Sequence, residues 1–357
     1  MSSQNHTRDY TNKQLLLQII NILKFYSDIN HPLSRKDIVE LLKKDPEQPI
    51  DLDTSDKQKS VTKNIRDLID FGYDIEDSGC GKKNAQSKWY LNREFDDSEI
   101  RLLIDSLLFF KHIPRNQCEE LISKLKGLSN KYFSDKVRHI TSLPANQSEN
   151  QQLFLTIEIL NEAIAEKKKV AFHFLEYGID KEATVVKRPD GNPKKYIVSP
   201  YQMVITNGRY YLICAHDKGD YAYHYRLDYV RDVNILDKEP IRPLRDVREL
   251  KNGLDLSKHM AEHIYMFSGE SIRVKFLASK HIIGAILDWF GTDVVFTDVG
   301  EESVIATVTV KEKAMLYWAL QYGKSVEVLE PASLREEIRQ AVADMYRKYN
   351  PPGGAKS

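Results

Sequence analysis

The chain of 357 residues has only three cysteines, Cys80, Cys118 and Cys214, far apart and odd in number. They give neither a disulfide framework nor a zinc-ligand spacing, and such usage suits a reducing cytosol. No run reaches the roughly 18 apolar residues that a membrane helix needs. The first ten residues, MSSQNHTRDY, lack the apolar core of a secretory signal. A cytoplasmic protein with no membrane partner is expected. Net charge is missing too: 52 Lys and Arg balance 52 Asp and Glu, so a nucleic-acid surface has to be local. Several enzyme signatures are absent. There is no Gly-x-x-x-x-Gly-Lys-Ser/Thr loop, no Gly-x-Ser-x-Gly elbow and no paired-cysteine zinc motif. No catalytic residue, no resident metal and no cofactor is expected.

What is present starts with a small N-terminal domain. Leu15, Leu16, Ile19, Ile20, Leu23 and Phe25 make a helical stripe that ends before Asn30-His31-Pro32. Ser34 caps a second helix, Arg35 to Lys43. A third helix begins near Thr54 or Ser55, runs to about Asp70 and turns Val61, Ile65 and Leu68 inward. Gly72 stops it, and Tyr73 to Glu76 with Lys88 to Leu91 read as two strands around a loop rich in Gly and Lys. Three helices and a hairpin are the order of a winged helix-turn-helix. Two amphipathic helices follow between Asp97 and Ser129, then a polar break near Gln147 to Gln152.

The segment Ser199 to Val233 reads as an antiparallel meander. Met203 to Thr206 and Tyr210 to Ile213 flank Asn207-Gly208, a strong signal for a type I′ hairpin, because both residues tolerate positive φ. A second turn at Asp217 to Asp220 feeds the aromatic run Tyr221 to Leu227. Beyond Pro240 and Pro243 the pattern alternates: strand Ile272 to Leu277, helix Lys280 to Trp289, strand Val304 to Val310, helix Lys313 to Gln321, strand Val326 to Leu329, helix Ser333 to Lys348. Trp318 and Tyr322 are expected to pack in the core of this unit.

These motifs together resemble the WYL-domain transcriptional regulators of bacteria. The Trp-Tyr-Leu tripeptide that names the domain appears as Tyr210-Tyr211-Leu212, with Ser199-Pro200-Tyr201 and Asn207-Gly208-Arg209 before it and Tyr225-Arg226-Leu227-Asp228 after. Tyr223 and Tyr229 stand where such domains usually carry arginines. Trp289-Phe290-Gly291, Trp318 to Gly323 and Val326 to Pro331 resemble the extension that commonly follows a WYL domain. Lys59 to Leu68, closing on Gly72 to Ile75, resembles the recognition helix of the same regulators.

The resemblance implies an α+β chain of five parts. These are a winged helix-turn-helix over 1–92, a helical linker over 93–150, a small Sm-like antiparallel β-barrel over 151–238, a small α/β extension over 239–350, and a disordered tail over 351–357. It implies a homodimer that binds double-stranded operator DNA and senses a single-stranded nucleic acid or a nucleotide. Two other readings stay open: a ligand-independent repressor whose WYL region is a dimerisation or docking module, and an enzyme acting on nucleotides or nucleic acid.

For DNA, burial of Val61, Ile65 and Leu68 puts Lys59, Thr62, Lys63 and Arg66 outward, with Lys57 and Gln58 in the first turn. Lys82 and Lys83 lie in the loop of the hairpin, placed for phosphates. For the effector, Ser199, Tyr201, Tyr211, His216, His224 and Arg226 combine a cation, imidazoles and stacking surfaces. Alternation along the strand sets His224 and Arg226 on one face, converging beside Ser199 and Tyr201 at the rim. Separately, His259-Met260-Ala261-Glu262-His263 puts two imidazoles one helical turn apart. The Glu precedes the second His rather than following the first, and no third ligand stands nearby in the sequence. A solvated helix face is expected there.

Overall fold

The computed structural model describes residues 11–79, 86–110, 113–136, 151–298 and 300–350. The chain divides into two compact units, Met1–Glu149 and Asn150–Ser357, and mixes helices with antiparallel sheets, an α+β protein.

The first unit opens with α1 (Asn12–Tyr26), β1 (Leu33–Ser34), α2 (Arg35–Lys43) and α3 (Ser55–Asp70), followed by β2 (Ile75–Asp77) and β3 (Lys88–Leu91). Local chemistry sets the helix starts. Thr11 with Gln14, and Ser34 with Asp37, form reciprocal capping boxes, and the Thr54 side chain accepts from the Lys57 N–H. Helix α3 ends in a Schellman closure: Tyr73 N–H donates to Leu68 O, and Gly72, at φ 106°, donates to Ile69 O. A glycine is needed there because a side chain is strained at that φ.

The core collects Leu15, Ile19 and Leu23 of α1, Ile38 and Leu42 of α2, Val61, Ile65 and Leu68 of α3, and Trp89 and Leu91 of β3. Each such side chain stabilises the fold by roughly 1.5–3 kcal/mol on leaving water. Strands β1, β3 and β2 pair antiparallel in that order.

Helices α4 (Asp97–Phe109), α5 (Arg115–Lys126) and α6 (Lys131–Lys136) fold back within the same unit. Ile100, Ile104 and Phe133 make their core. Asn130 donates to Asp28 Oδ2 at 2.7 Å, and Arg93 donates to the carbonyls of Lys24 and Ser27.

The second unit starts with α7 (Leu153–Ala165) against a curled sheet of β4 (Lys168–Tyr177), β5 (Ala183–Val185), β6 (Lys195–Thr206), β7 (Arg209–Ala215), β8 (Tyr223–Arg226) and β9 (Val230–Pro240). The long strand β6 makes the curl. Its first half pairs with β4 and its second half with β7, with an irregularity between Pro200 and Gln202. Strand β4 pairs with β9 along its other edge. The β6–β7 turn is the two-residue Asn207-Gly208, at φ 49° and 68°, with Thr206 opposite Arg209.

Next come α8 (Leu256–Glu262), β10 (Ser271–Ser279), α9 (Ile283–Phe290), β11 (Val295–Asp298), β12 (Ser303–Lys311), α10 (Glu312–Gln321), β13 (Val326–Glu330) and α11 (Ala332–Tyr349). Their sheet runs β11-β12-β10-β13, all antiparallel, the split-βαβ arrangement. Trp318 lies fully buried among Phe276, Phe290 and Tyr322, as packing in a core requires.

Candidate functional site

Helix α3 separates its residues cleanly. Val61, Asn64, Ile65 and Leu68 are buried, and Lys57, Lys59, Lys63 and Arg66 are exposed, with Gln58 and Thr62 at the boundary. Asn64 faces inward as well, its amide donating to Asn12 Oδ1 at 3.0 Å and Ser60 O at 2.9 Å. Lys57 Nζ lies 2.9 Å from Asp53, and the Gln58 amide donates to Leu52 O, so these two already have partners within the domain. Lys82 and Lys83 lie outside the described residues.

In the curled sheet, register places Tyr211 opposite Arg226 and Ile213 opposite His224. Tyr211, Ile213 and Ala215 share one face with Ala222, packed against Val247, Leu250 and Met266. Arg226 is committed to its neighbours: Nε donates to Asp228 Oδ1 at 3.2 Å, Nη2 donates to Oδ2 at 2.7 Å, and the guanidinium sits 4.1 Å from the Tyr229 ring centre. Burial works against its charge, but Asp228 outweighs that and raises the pKa.

His216 belongs to the opposite face. Its Nε2 lies 2.9 Å from the Tyr225 hydroxyl, beside the aromatic cluster of Phe172, Phe174 and Tyr196, and burial lowers its pKa. Ser199 is buried, not at a rim. Its hydroxyl accepts from Arg242 N–H at 2.9 Å, while the Tyr201 hydroxyl donates to Arg242 O at 2.8 Å. The Arg242 side chain in turn donates to the carbonyls of His216, Gly219 and Asp246. Burial pushes the Tyr201 phenol up to about 12. Tyr201 also lines a cleft of about 370 Å³ with Lys167, Gln202 and Leu244.

His224 meets two residues from beyond the sheet. Its Nε2 is 2.8 Å from His259 Nε2, the His259 and His263 rings stack at 3.8 Å, and one ligand atom from each ring lies within 4.8 Å of the others. His259 and His263 are buried, which overturns the solvated-face expectation; the third imidazole comes from β8, 35 residues earlier. Burial, reinforced by the neighbouring imidazoles, pushes His224 down to about 2 and His259 to about 3.

Behind them Glu249 lies 2.9 Å from His263 Nε2, accepts from buried Lys311 Nζ at 2.5 Å, and accepts from Ala222 N–H at 2.7 Å. Burial opposes the Glu249 charge, yet His263, Lys311 and the amide hold the carboxyl down at about 2.

The family model for the WYL domain matches residues 156–235, which span α7 to β9 and hold all six residues proposed for an effector. The chain carries a WYL domain. A second model, the WCX domain, matches residues 270–346. The stretch between the two matches supplies Arg242, Glu249, His259 and His263.

A curated relative, the "Uncharacterized HTH-type transcriptional regulator YobV" of Bacillus subtilis (strain 168), is 26% identical over 152 residues. That match takes 42% of this chain and spans 45% of the relative's length. Among solved structures, the proteasome accessory factor B/C (PafBC) of Arthrobacter aurescens is 16% identical, covering 98% of this chain and 50% of its own, at a TM-score of 0.28. A structure described as a CRISPR Cas-related protein is 15% identical, covering 99% of this chain and 89% of its own, at 0.35.

The six proposed residues do not converge on one point. Tyr211, His224 and Arg226 share a face, His216 lies on the other, and Ser199 and Tyr201 are tied to Arg242. Sequence reading missed Arg242, Glu249 and Lys311. Arg242 sits in the Pro240 to Pro243 boundary, and Lys311 at the end of an apolar strand, so neither carried a local signal.

Proposed function

We propose that this WYL-domain protein is a cytoplasmic, non-enzymatic transcriptional regulator that binds double-stranded DNA as a homodimer. On this reading residues 1–92 are a winged helix-turn-helix with α3 as recognition helix, and residues 93–150 link it to the rest. Residues 151–238 form an Sm-like barrel, and 239–350 are the extension. The observation that carries it is the outward face of α3: Lys59, Lys63 and Arg66 are exposed while the stripe behind them is buried. Exposed arginine and lysine at that position suit phosphates and base edges of the major groove. The printed name of the Bacillus subtilis relative supports the same reading. Exposed apolar side chains on α11, Val342, Met345, Tyr346 and Tyr349, support a protein contact in the C-terminal half. Exchanging Lys63 and Arg66 together for Ala, and measuring duplex binding by anisotropy, tests the assignment. Loss of binding with an unchanged circular dichroism spectrum supports it, and unchanged binding refutes it.

The finer part of the proposal is that the WYL domain senses a nucleotide or single-stranded nucleic acid. Tyr211 and Tyr229 beside Arg226 offer stacking and charge for such a ligand. A second reading, in which the domain is a docking module without a ligand, is favoured by one observation: Asp228 already neutralises Arg226. Titration of the full chain with short single-stranded oligonucleotides separates the two. The sensor reading expects saturable binding that changes duplex affinity, and the docking reading expects none.

A further inference from the structure

We propose that His224, His259 and His263 bind one divalent transition-metal ion of the Zn²⁺ class, with one ring nitrogen from each. The three ligand atoms already lie within 4.8 Å of one another, and the rings are carried by β8, by α8 and by the residue that caps α8. A tetrahedral ion with Zn–N bonds near 2.0–2.1 Å needs its nitrogens about 3.3 Å apart. His224 and His259 stand at 2.8 Å, so their rings need to part by only about 0.5 Å to admit it.

The protonation pattern suits a metal better than a closed hydrogen-bond network. Two Nε2 atoms 2.8 Å apart share a single proton, so at least one of those rings is neutral, the form that ligates metals. His263 Nδ1 donates to the His259 carbonyl at 2.7 Å. That bond is the usual support of a metal-bound imidazole: it fixes the tautomer and leaves Nε2 with its lone pair. His263 Nε2 stands 2.9 Å from Glu249 Oε1, and metal binding would take that nitrogen from the carboxylate.

The charge balance also allows it. Lys311 is paired with Glu249, so the ion meets an uncharged nitrogen set rather than a cationic one. Imidazole donors select Zn²⁺, Co²⁺, Ni²⁺ or Cu²⁺ over Mg²⁺ and Ca²⁺, which prefer oxygen. A water completes the coordination. A bound ion would pin His224, two residues of strand from Arg226 on β8, to α8, which lies outside both matched domains.

The test uses the full, untagged chain, stripped with a chelator and dialysed. Co²⁺ is titrated in while visible absorption is recorded, and Zn²⁺ is then added in competition. The proposal expects ligand-field bands that saturate at one ion per chain, vanish on Zn²⁺ addition, disappear in folded His224→Ala and His259→Ala proteins, and persist in His281→Ala. No saturable bands in the wild type overturn it, as do bands that survive in folded His259→Ala. Should an alanine variant fail to fold, ring ¹⁵N spectra of the wild type decide the matter. Zn²⁺ has to move the nitrogens of three of the ten histidines, and spectra that do not change overturn the proposal.

Discussion

Arg226 and Asp228, two residues apart at the end of β8, form a two-point ion pair, Nε to Oδ1 at 3.2 Å and Nη2 to Oδ2 at 2.7 Å. Asp228 is nearly inaccessible, at 6% side-chain exposure, and Arg226 only partly accessible, at 24%. Removing one partner of a buried pair leaves the other charge uncompensated, which costs about 3–5 kcal/mol for full burial. With the arginine partly wetted, Arg226→Ala should lose about 2–4 kcal/mol in urea denaturation. Arg226→Lys should lose less, because it keeps the charge but not the fork geometry. A loss under about 0.5 kcal/mol for the alanine variant would show the pair to be incidental.

Tyr201 gives an alkaline signature with a definite sign. Its folded pKa, about 12, lies above the ordinary value of 10.0, so the folded state holds the phenol proton more tightly than the unfolded chain does. The stability it contributes is complete below pH 10 and is lost as pH rises from 10 towards 12. Discounted for a phenol that is only half-buried, the size is about 1 kcal/mol. Unfolding curves at pH 9, 10, 11 and 12 should therefore fall more steeply for the wild type than for Tyr201→Phe. Parallel curves would rule the contribution out.

The dimer prediction rests on the exposed apolar side of α11 and on the cleft of about 1110 Å³ that it forms with the α10–β13 turn. Light scattering at micromolar concentration should return twice the chain mass. Val342→Glu with Tyr346→Glu should return a monomer if α11 carries the contact. A wild-type monomer with full DNA affinity contradicts the dimer.

Much of this architecture was legible in the chain because local physics dictated it. The i, i+4, i+7 spacing of Val61, Ile65 and Leu68 named the buried side of α3, and Asn207-Gly208 named the hairpin and its register. Capping residues Ser34 and Thr54 marked helix starts that the structure places within a residue. What failed was whatever depended on the covering partner. Helical spacing put His259 and His263 on one side of α8 but could not reveal that His224 and Glu249 cover it. Strand β11, four residues between turns, had too short a pattern to stand out. Alternation correctly paired His224 with Arg226, while the loss of Arg226 to Asp228 and of Ser199 to Arg242 depended on contacts that no period encodes.

Lys82 and Lys83 are proposed as phosphate contacts rather than base readers. Exchanging both for Ala should weaken binding to every duplex alike and lower the slope of log affinity against log salt by about one unit per lost contact. A change of sequence preference with the slope unchanged would reassign them to base reading.

The central claim is sequence-specific DNA binding through α3, and selection from a randomised duplex pool by the full wild-type chain tests it most directly. The account predicts enrichment of two half-sites spaced by about 10–10.5 base pairs or a multiple of that, one for each subunit. It also predicts that the Lys63→Ala, Arg66→Ala chain, folded, enriches nothing. A pool that stays random with the wild type, or the same motif recovered by the double variant, would contradict it.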